Sequence, residues 1–262
     1  MSDYVIGLDL SRYRENVPLK TAKGQGVRFL ICKCSEGTSY TDHTYGPYQV
    51  EAKARYLPFG GFMYWRFQFD AVGQAEYYCD HLGEVQFPPI VDAERIFNVK
   101  PGTTSVPIVS QQANRNHLQI VLNVIENKTA MVPMIYTNFA TWRALFGDWS
   151  VWDKYRLWVA NWRTGHDPYL PVPAKKYTVH QFTSAYKVTG YSRGVDANWF
   201  NGNEEAFEAQ LAKWAAMWHP PATPPPPPPP PPLPEPPPDP TLQPFYLELA
   251  GDKWVGEAKK VS

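Results

Sequence analysis

Asp92 and Glu94 stand two positions apart at the end of an apolar run, PPIVDAE. In an extended strand residues i and i+2 share a face, roughly 6.6 Å apart along the chain. Ile90, Asp92 and Glu94 then lie on one side, with Pro89, Val91 and Ala93 on the other. Two carboxyls at this range suit cleavage of a glycosidic bond. One is protonated to donate to the leaving oxygen, and the other is ionised to stabilise or attack the anomeric carbon. Close like charges push one pKa up, and apolar surroundings keep that acid protonated. The plainer alternative is a strand end that makes salt bridges to Arg95 or Lys100.

Further carboxylates follow apolar runs in the same way. Asp9 ends YVIGLDL, Glu36 follows FLICKC, and Asp196 lies in GVDANWF. Aromatic residues gather at the same places: Phe62, Tyr64, Trp65, Tyr136, Trp158, Trp162 and Trp199. Sugar rings have apolar faces that pack on such side chains, although core packing is the ordinary use of each aromatic taken singly.

Something must bring these positions to one mouth. Strand-like runs recur as YVIGLDL, VRFLICKC, FGGFMYW, PPIVDAE, VPMIYT, YRLWVANW, YTVHQFT and GVDANWF. Several are nearly continuous apolar stretches, as in parallel strands buried on both faces. Helix-compatible segments, YQVEAKARY, QAEYYCDHL and NHLQIVLNVIEN, separate the early runs, and the later runs follow one another more directly. This alternation predicts an α/β fold, an irregular TIM-like (β/α) barrel whose last third is richer in β. Active-site groups of such a barrel come from the C-terminal ends of its strands, where the acids fall. An open doubly wound sheet is the alternative, but no glycine-rich phosphate loop is present.

The chain has 262 residues, and its 25 Lys plus Arg equal its 25 Asp plus Glu. Zero net charge argues against nucleic-acid binding by bulk electrostatics. No apolar run reaches the length of a membrane span. Three cysteines are too few for a disulfide framework, and Cys32 and Cys34, in CKC, read as small buried hydrophobes on one strand face. Residues 1–218 are expected to form the barrel. Sixteen prolines between 220 and 240 make residues 219–240 a polyproline II spacer, up to roughly 65 Å long at about 3.1 Å per residue. Residues 241–262 are a short tail, too small for its own core, with one strand-like run, FYLEL.

The blocks GLDLSRY, FLICKCSEGTSYTD, PPIVDAE, PMIYTNFATW, LWVANW and HQFTS…GVDANWFNG occur in an order that resembles glycoside hydrolase family 25, the N-acetylmuramidases or Chalaropsis-type lysozymes. The resemblance spans about residues 4–202. It implies hydrolysis of the β-1,4 bond between N-acetylmuramic acid and N-acetylglucosamine in peptidoglycan, with no metal or cofactor. By position, Glu94 matches the general acid and Asp92 its partner. Asp9 and Asp196 match two outer carboxylates, and Tyr136 lies near the sugar's N-acetyl group. Tyr64, Trp158, Gln181, Asn198 and Glu36 complete the expected sugar-binding set. Met63 and Tyr64 depart from the Tyr-His-Phe-like segment usual on the third strand, Cys34 from an alanine, and His180 from a tryptophan.

Two other readings carry different expectations. A wall-binding module that has lost catalysis would bind peptidoglycan without cutting it. A divalent-cation site at Asp9, Asp92, Glu94 and Asp196 would use their clustered oxygens, without a histidine. The N-terminus, MSDYVIGLDL, has neither a basic leader nor a long apolar region. The expectation is therefore a protein made in the cytoplasm that reaches the wall as a phage-type endolysin does, in a phage particle, or by another export route; a monomer is expected.

Overall fold

Eight strands close into a barrel in the computed structural model, which describes residues 4–94, 110–162 and 167–218, with the backbone of 242–249 and 252–259. In chain order the strands are β1 (Val5–Leu10), β2 (Val27–Glu36), a two-residue β3 (Tyr40–Thr41), β4 (Phe59–Tyr64), β5 (Ile90–Asp92), β6 (Met134–Thr137), β7 (Arg156–Ala160), β8 (Val179–Tyr186) and β9 (Val195–Phe200). The ring runs β1-β2-β4-β5-β6-β7-β8-β9 and back to β1, while β3 folds antiparallel onto the end of β2. Each of the eight apolar runs in the sequence forms one strand of this ring. Closure excludes the open doubly wound sheet.

The barrel is parallel from β1 through β8, but β9 runs antiparallel to both of its neighbours. This changes the reason why Asp196 belongs with the others. It begins its strand instead of ending it, and it reaches the same end of the barrel because β9 points the other way. Asp196 is paired in register with Asp9.

Helices α2 (Tyr45–Ala54), α3 (Ala71–Leu82) and α4 (Gln111–Thr129) occupy the three helix-compatible segments. Helices α1 (Leu19–Gly24), α5 (Phe139–Phe146) and α6 (Glu204–Met217) were not singled out by their sequences. Local chemistry starts several of them: Asp70, Ser110, Asn138 and Asn203 each accept a hydrogen bond from a first-turn amide, satisfying donors that have no partner inside the helix.

Strand alternation divides the core in two. Leu30, Cys32, Cys34, Met63, Val91, Ala93, Ile135, Leu157 and Val159 face outward into the layer beneath the helices. Phe29, Ile31, Phe62, Ile90, Met134, Tyr136, Trp158, Val179 and Phe200 face the barrel axis. Helix α6 closes one end of that inner core with Phe207, Leu211 and Trp214; the Phe207 ring meets Phe29 and Phe87, and the Trp214 ring meets Phe87. Gly61 sits on the outer side of β4, where a Cβ would come within 2.6 Å of Leu82 Cδ1 and still closer to the Tyr45 hydroxyl. Its missing side chain lets α2 and α3 seat closely on the sheet.

The chain divides into two units, Met1–Thr223 and Pro224–Ser262. The second unit contains an antiparallel pair, β10 (Leu242–Leu249) and β11 (Asp252–Lys259). FYLEL lies within β10. The proline stretch at 219–240 lies outside the described residues. So do Arg95 and Lys100, the candidate salt-bridge partners of the acid pair.

Candidate active site

The inward parity that places Val5, Gly7 and Asp9 on one side of β1 also turns Lys33, Tyr64, Asp92, Tyr136, Trp158 and Gln181 toward the axis. At the end of the barrel away from α6 these side chains line a cleft of about 400 Å³, together with Phe62, Glu94, Trp162 and Asp196. All four predicted acids therefore share one mouth. Glu94, two residues past the strand, is half-buried, whereas Asp92 is 5% exposed. A neighbouring hollow, also of about 400 Å³, is lined by Asn138, Phe139, Asn161 and Tyr169 and shares Glu94, Tyr136 and Trp162 with the cleft. Glu94 thus stands where two spaces meet.

Beneath the cleft, a directed set of hydrogen bonds ends on Asp9. Trp158 Nε1 donates to Asn198 Oδ1 at 2.8 Å, and Asn198 Nδ2 donates to Asp9 Oδ2 at 2.8 Å. Trp162 Nε1 and the Tyr136 hydroxyl both donate to Gln181 Oε1, at 2.9 and 3.0 Å, and Gln181 Nε2 donates to Asp9 Oδ2 at 3.0 Å. Indole N–H only donates, so each amide must turn its oxygen to the tryptophan and its nitrogen to Asp9. The amide orientations are fixed by chemistry. Asp9 Oδ2 is committed as a double acceptor.

Burial raises the acids. Asp9 is pushed up to about 8, first by burial and then by Asp196, while Asn198 and Gln181 pull it down. Asp196 is raised by burial and pulled down by Arg14. Asp92 is raised well above the usual carboxylate range, first by burial and then by Glu94, with Lys33 opposing. Its buried Oδ1 has no hydrogen-bond partner. An unsatisfied, desolvated carboxyl oxygen strongly disfavours ionisation.

Two members of the expected sugar-binding set sit differently from the rest. Asn198 is fully buried and meets the cleft through its bonds to Asp9 and Trp158. Glu36 lies beside the cleft, bound to Lys33 Nζ at 2.5 Å and to Arg66 Nη1 at 3.3 Å. Two of the seven aromatics face away. Trp65 packs outward, donating to His117 Nδ1 at 3.0 Å, and Trp199 stacks on Phe182 with centroids 3.8 Å apart. Both have the wrong strand parity: Tyr64 and Asn198 beside them take the inward positions.

Sequence reasoning missed Lys33 and Arg14. Lys33 is 7% exposed, with its ammonium 4.7 Å from the Tyr64 ring centroid. A lysine in the middle of FLICKC was the same kind of signal as the two acids in PPIVDAE. Arg14 had no such signal. It enters the cleft lining on the 3₁₀ turn Arg12–Arg14 after β1, held there by Asp42 Oδ2, which accepts from the Arg12 amide at 3.0 Å. Among the described residues no group of three or more His, Cys, Asp or Glu side chains is arranged to hold a metal ion, and no helix is long and apolar enough to cross a membrane.

Comparison with known proteins agrees with this architecture. Lysozyme M1 of Streptomyces globisporus is 25% identical over 206 residues, covering 76% of this chain and 68% of the relative. The N,O-diacetylmuramidase of Chalaropsis sp is 25% identical over 209 residues, covering 76% and 95%. The crystal structure of the bacterial lysozyme from Streptomyces coelicolor superposes with a TM-score of 0.73 at 24% identity, covering 82% of this chain and all of that one. The model of glycosyl hydrolases family 25 matches residues 8–191, which run from the second half of β1 through β8 and include Asp9, Asp92 and Glu94. The chain belongs to glycosyl hydrolase family 25.

Proposed function

We propose that the enzyme is a muramidase, cleaving the β-1,4 bond between N-acetylmuramic acid and N-acetylglucosamine in peptidoglycan. The position of Glu94 between two adjoining hollows carries this reading. A group that protonates a glycosidic oxygen must stand between two sugar subsites, and of the four acids only Glu94 lines both spaces. Asp92, deeper on the same strand face, is its partner. It supports the oxazolinium formed by the substrate's own N-acetyl group, or acts on the sugar more directly. Tyr136, beside both acids, faces the N-acetyl group. Asp9 and Asp196 set the charge of the floor, and Asn198 positions Asp9 without touching sugar. Retention of all four acids weighs against an inactive wall-binding module.

The barrel of residues 1–218 carries this activity as a monomer, with the proline segment as spacer and residues 241–262 as an appended element. Truncation after Met217 tests that division: cleavage of soluble fragments should survive it. For the activity itself, purified peptidoglycan is incubated with wild type and Glu94→Gln, and new reducing ends are counted while mass spectrometry identifies them. Muramic-acid reducing termini from wild type alone are expected. Wild type that releases none would sink the proposal.

A further inference from the structure

At the end of the barrel opposite the acids lies a hollow of about 330 Å³. Its wall comes from the residues that lead into β6, β7 and β8 and from the last turns of α6. Two cations in this lining have no ion-pair partner among the described residues. Arg156 makes no ion pair and lies over the Trp214 ring, 5.7 Å from its centroid. Lys176 is exposed and makes no ion pair. Trp152 contributes to the wall, but its indole N–H is buried away from the hollow. Lys154, by contrast, is satisfied by Glu126 at 2.6 Å, and Asp153 is the acid in the lining.

An arginine fork stacked on an aromatic ring is preorganised for a planar or tetrahedral oxyanion. The unused capacity is of one chemical kind, N–H donors with two positive charges. We propose that this hollow is a second binding site, which takes an oxyanion carried along a wall polymer and holds the enzyme by the end of the barrel opposite its cleft. The choice of a wall polymer rests on the muramidase reading. The chain's zero formal charge offers no long-range attraction to an anionic wall, so a local cationic pocket would supply the contact that net charge does not. Phosphodiester and carboxylate polymers share the required chemistry.

The full chain is titrated calorimetrically with glycerol-phosphate oligomers and, separately, with oligogalacturonate, and chitin oligomers serve as the neutral reference. Arg156→Gln with Lys176→Gln should weaken binding of the charged oligomer at least tenfold and flatten its salt dependence. Affinity for the chitin oligomers and the melting temperature should stay unchanged. Whichever charged oligomer shows this pattern identifies the oxyanion. Failure of both to bind wild type, or equal binding by the double variant, overturns the site. Charged-oligomer binding by a chain that releases no reducing ends from peptidoglycan would sink the muramidase reading and leave the site standing.

Discussion

Replacing Asp9 by Asn should make the protein more stable and less active, and the gain should depend on pH in a stated direction. Asp9 is buried at the floor of the cleft, with its pKa raised from 3.8 to about 8. A carboxyl with a raised folded pKa contributes stability that is fully present below its unfolded value and is lost as pH rises toward the folded one. The window here is therefore about pH 4 to 8. The difference, 8 minus 3.8, is about 4 pKa units, or about 6 kcal/mol at 1.36 kcal/mol per unit. Asp196 is paired opposite Asp9 in register, so part of that belongs to the pair, and about 3 kcal/mol is a fair share for Asp9. Asparagine never ionises, yet its oxygen can accept from Gln181 and Asn198 as Oδ2 does now. At 2–4 °C per kcal/mol for a domain of this size, the melting temperature at pH 8 should rise by roughly 6–12 °C, with no gain at pH 3.5. Thermal unfolding of both proteins in steps of half a pH unit checks it, beside reducing-end release at each pH. A gap of the same size at pH 3.5 and pH 8, or an Asn variant less stable at pH 8, would refute the argument.

Three further outcomes are expected. Trp158→Phe removes the donor to Asn198 Oδ1 and leaves a buried acceptor unpaired, costing about 1–3 kcal/mol of stability. Chemical denaturation measures that loss, and hydrolysis should slow by about tenfold as Asp9 loses its fixed orientation, in line with 1.36 kcal/mol of barrier. Gly61→Ala drives a methyl to 2.6 Å from Leu82 Cδ1 and should cost about 1–3 kcal/mol by overpacking, seen as a lower denaturation midpoint with an unchanged pH–rate profile. Lys33→Met removes the cation that lowers the Asp92 pKa. The acidic limb of the pH–rate profile should then move to higher pH, since ionising Asp92 becomes harder. A limb that stays in place would show that Asp92 ionisation does not control the rate.

The strands of this barrel were legible because burial on both faces makes them nearly continuous apolar runs, and any charge inside such a run is conspicuous. Asp9, Asp92 and Asp196 were found that way, and Lys33 carried the same mark unread. What the runs could not convey was direction. β9 reads like its neighbours, yet it is antiparallel, and the pairing of Asp9 with Asp196 follows from that reversal alone. Parity within a run was also ambiguous for aromatics. Tyr64 and Trp65 are adjacent in sequence, and the inward position of Asp92 on the next strand decides which of them faces the cleft. Arg14 was beyond reach because a 3₁₀ turn held by Asp42, remote in sequence, brings it to the cleft. Short helices such as α1 and α5 lacked the length over which a helical period becomes visible.

The floor of the cleft shows why the acids and the aromatics cannot be assigned separately. Two tryptophans and a tyrosine spend their polar hydrogens on two amides, and both amides spend theirs on one oxygen of Asp9. Rings that would pack against sugar thereby also fix the carboxylate beneath it. The same network opposes the burial that raises the Asp9 pKa, leaving that acid near neutrality, where a small change in surroundings alters its charge. Asp92 has no such support: its buried Oδ1 is unpaired, and Lys33 is what opposes its neutralisation. The two acids therefore answer to different partners. Loss of Trp158 should act through Asp9 and loss of Lys33 through Asp92, so combining the two changes should give additive effects on the logarithm of the rate. A strongly non-additive double variant would show that the four carboxyls titrate as one unit.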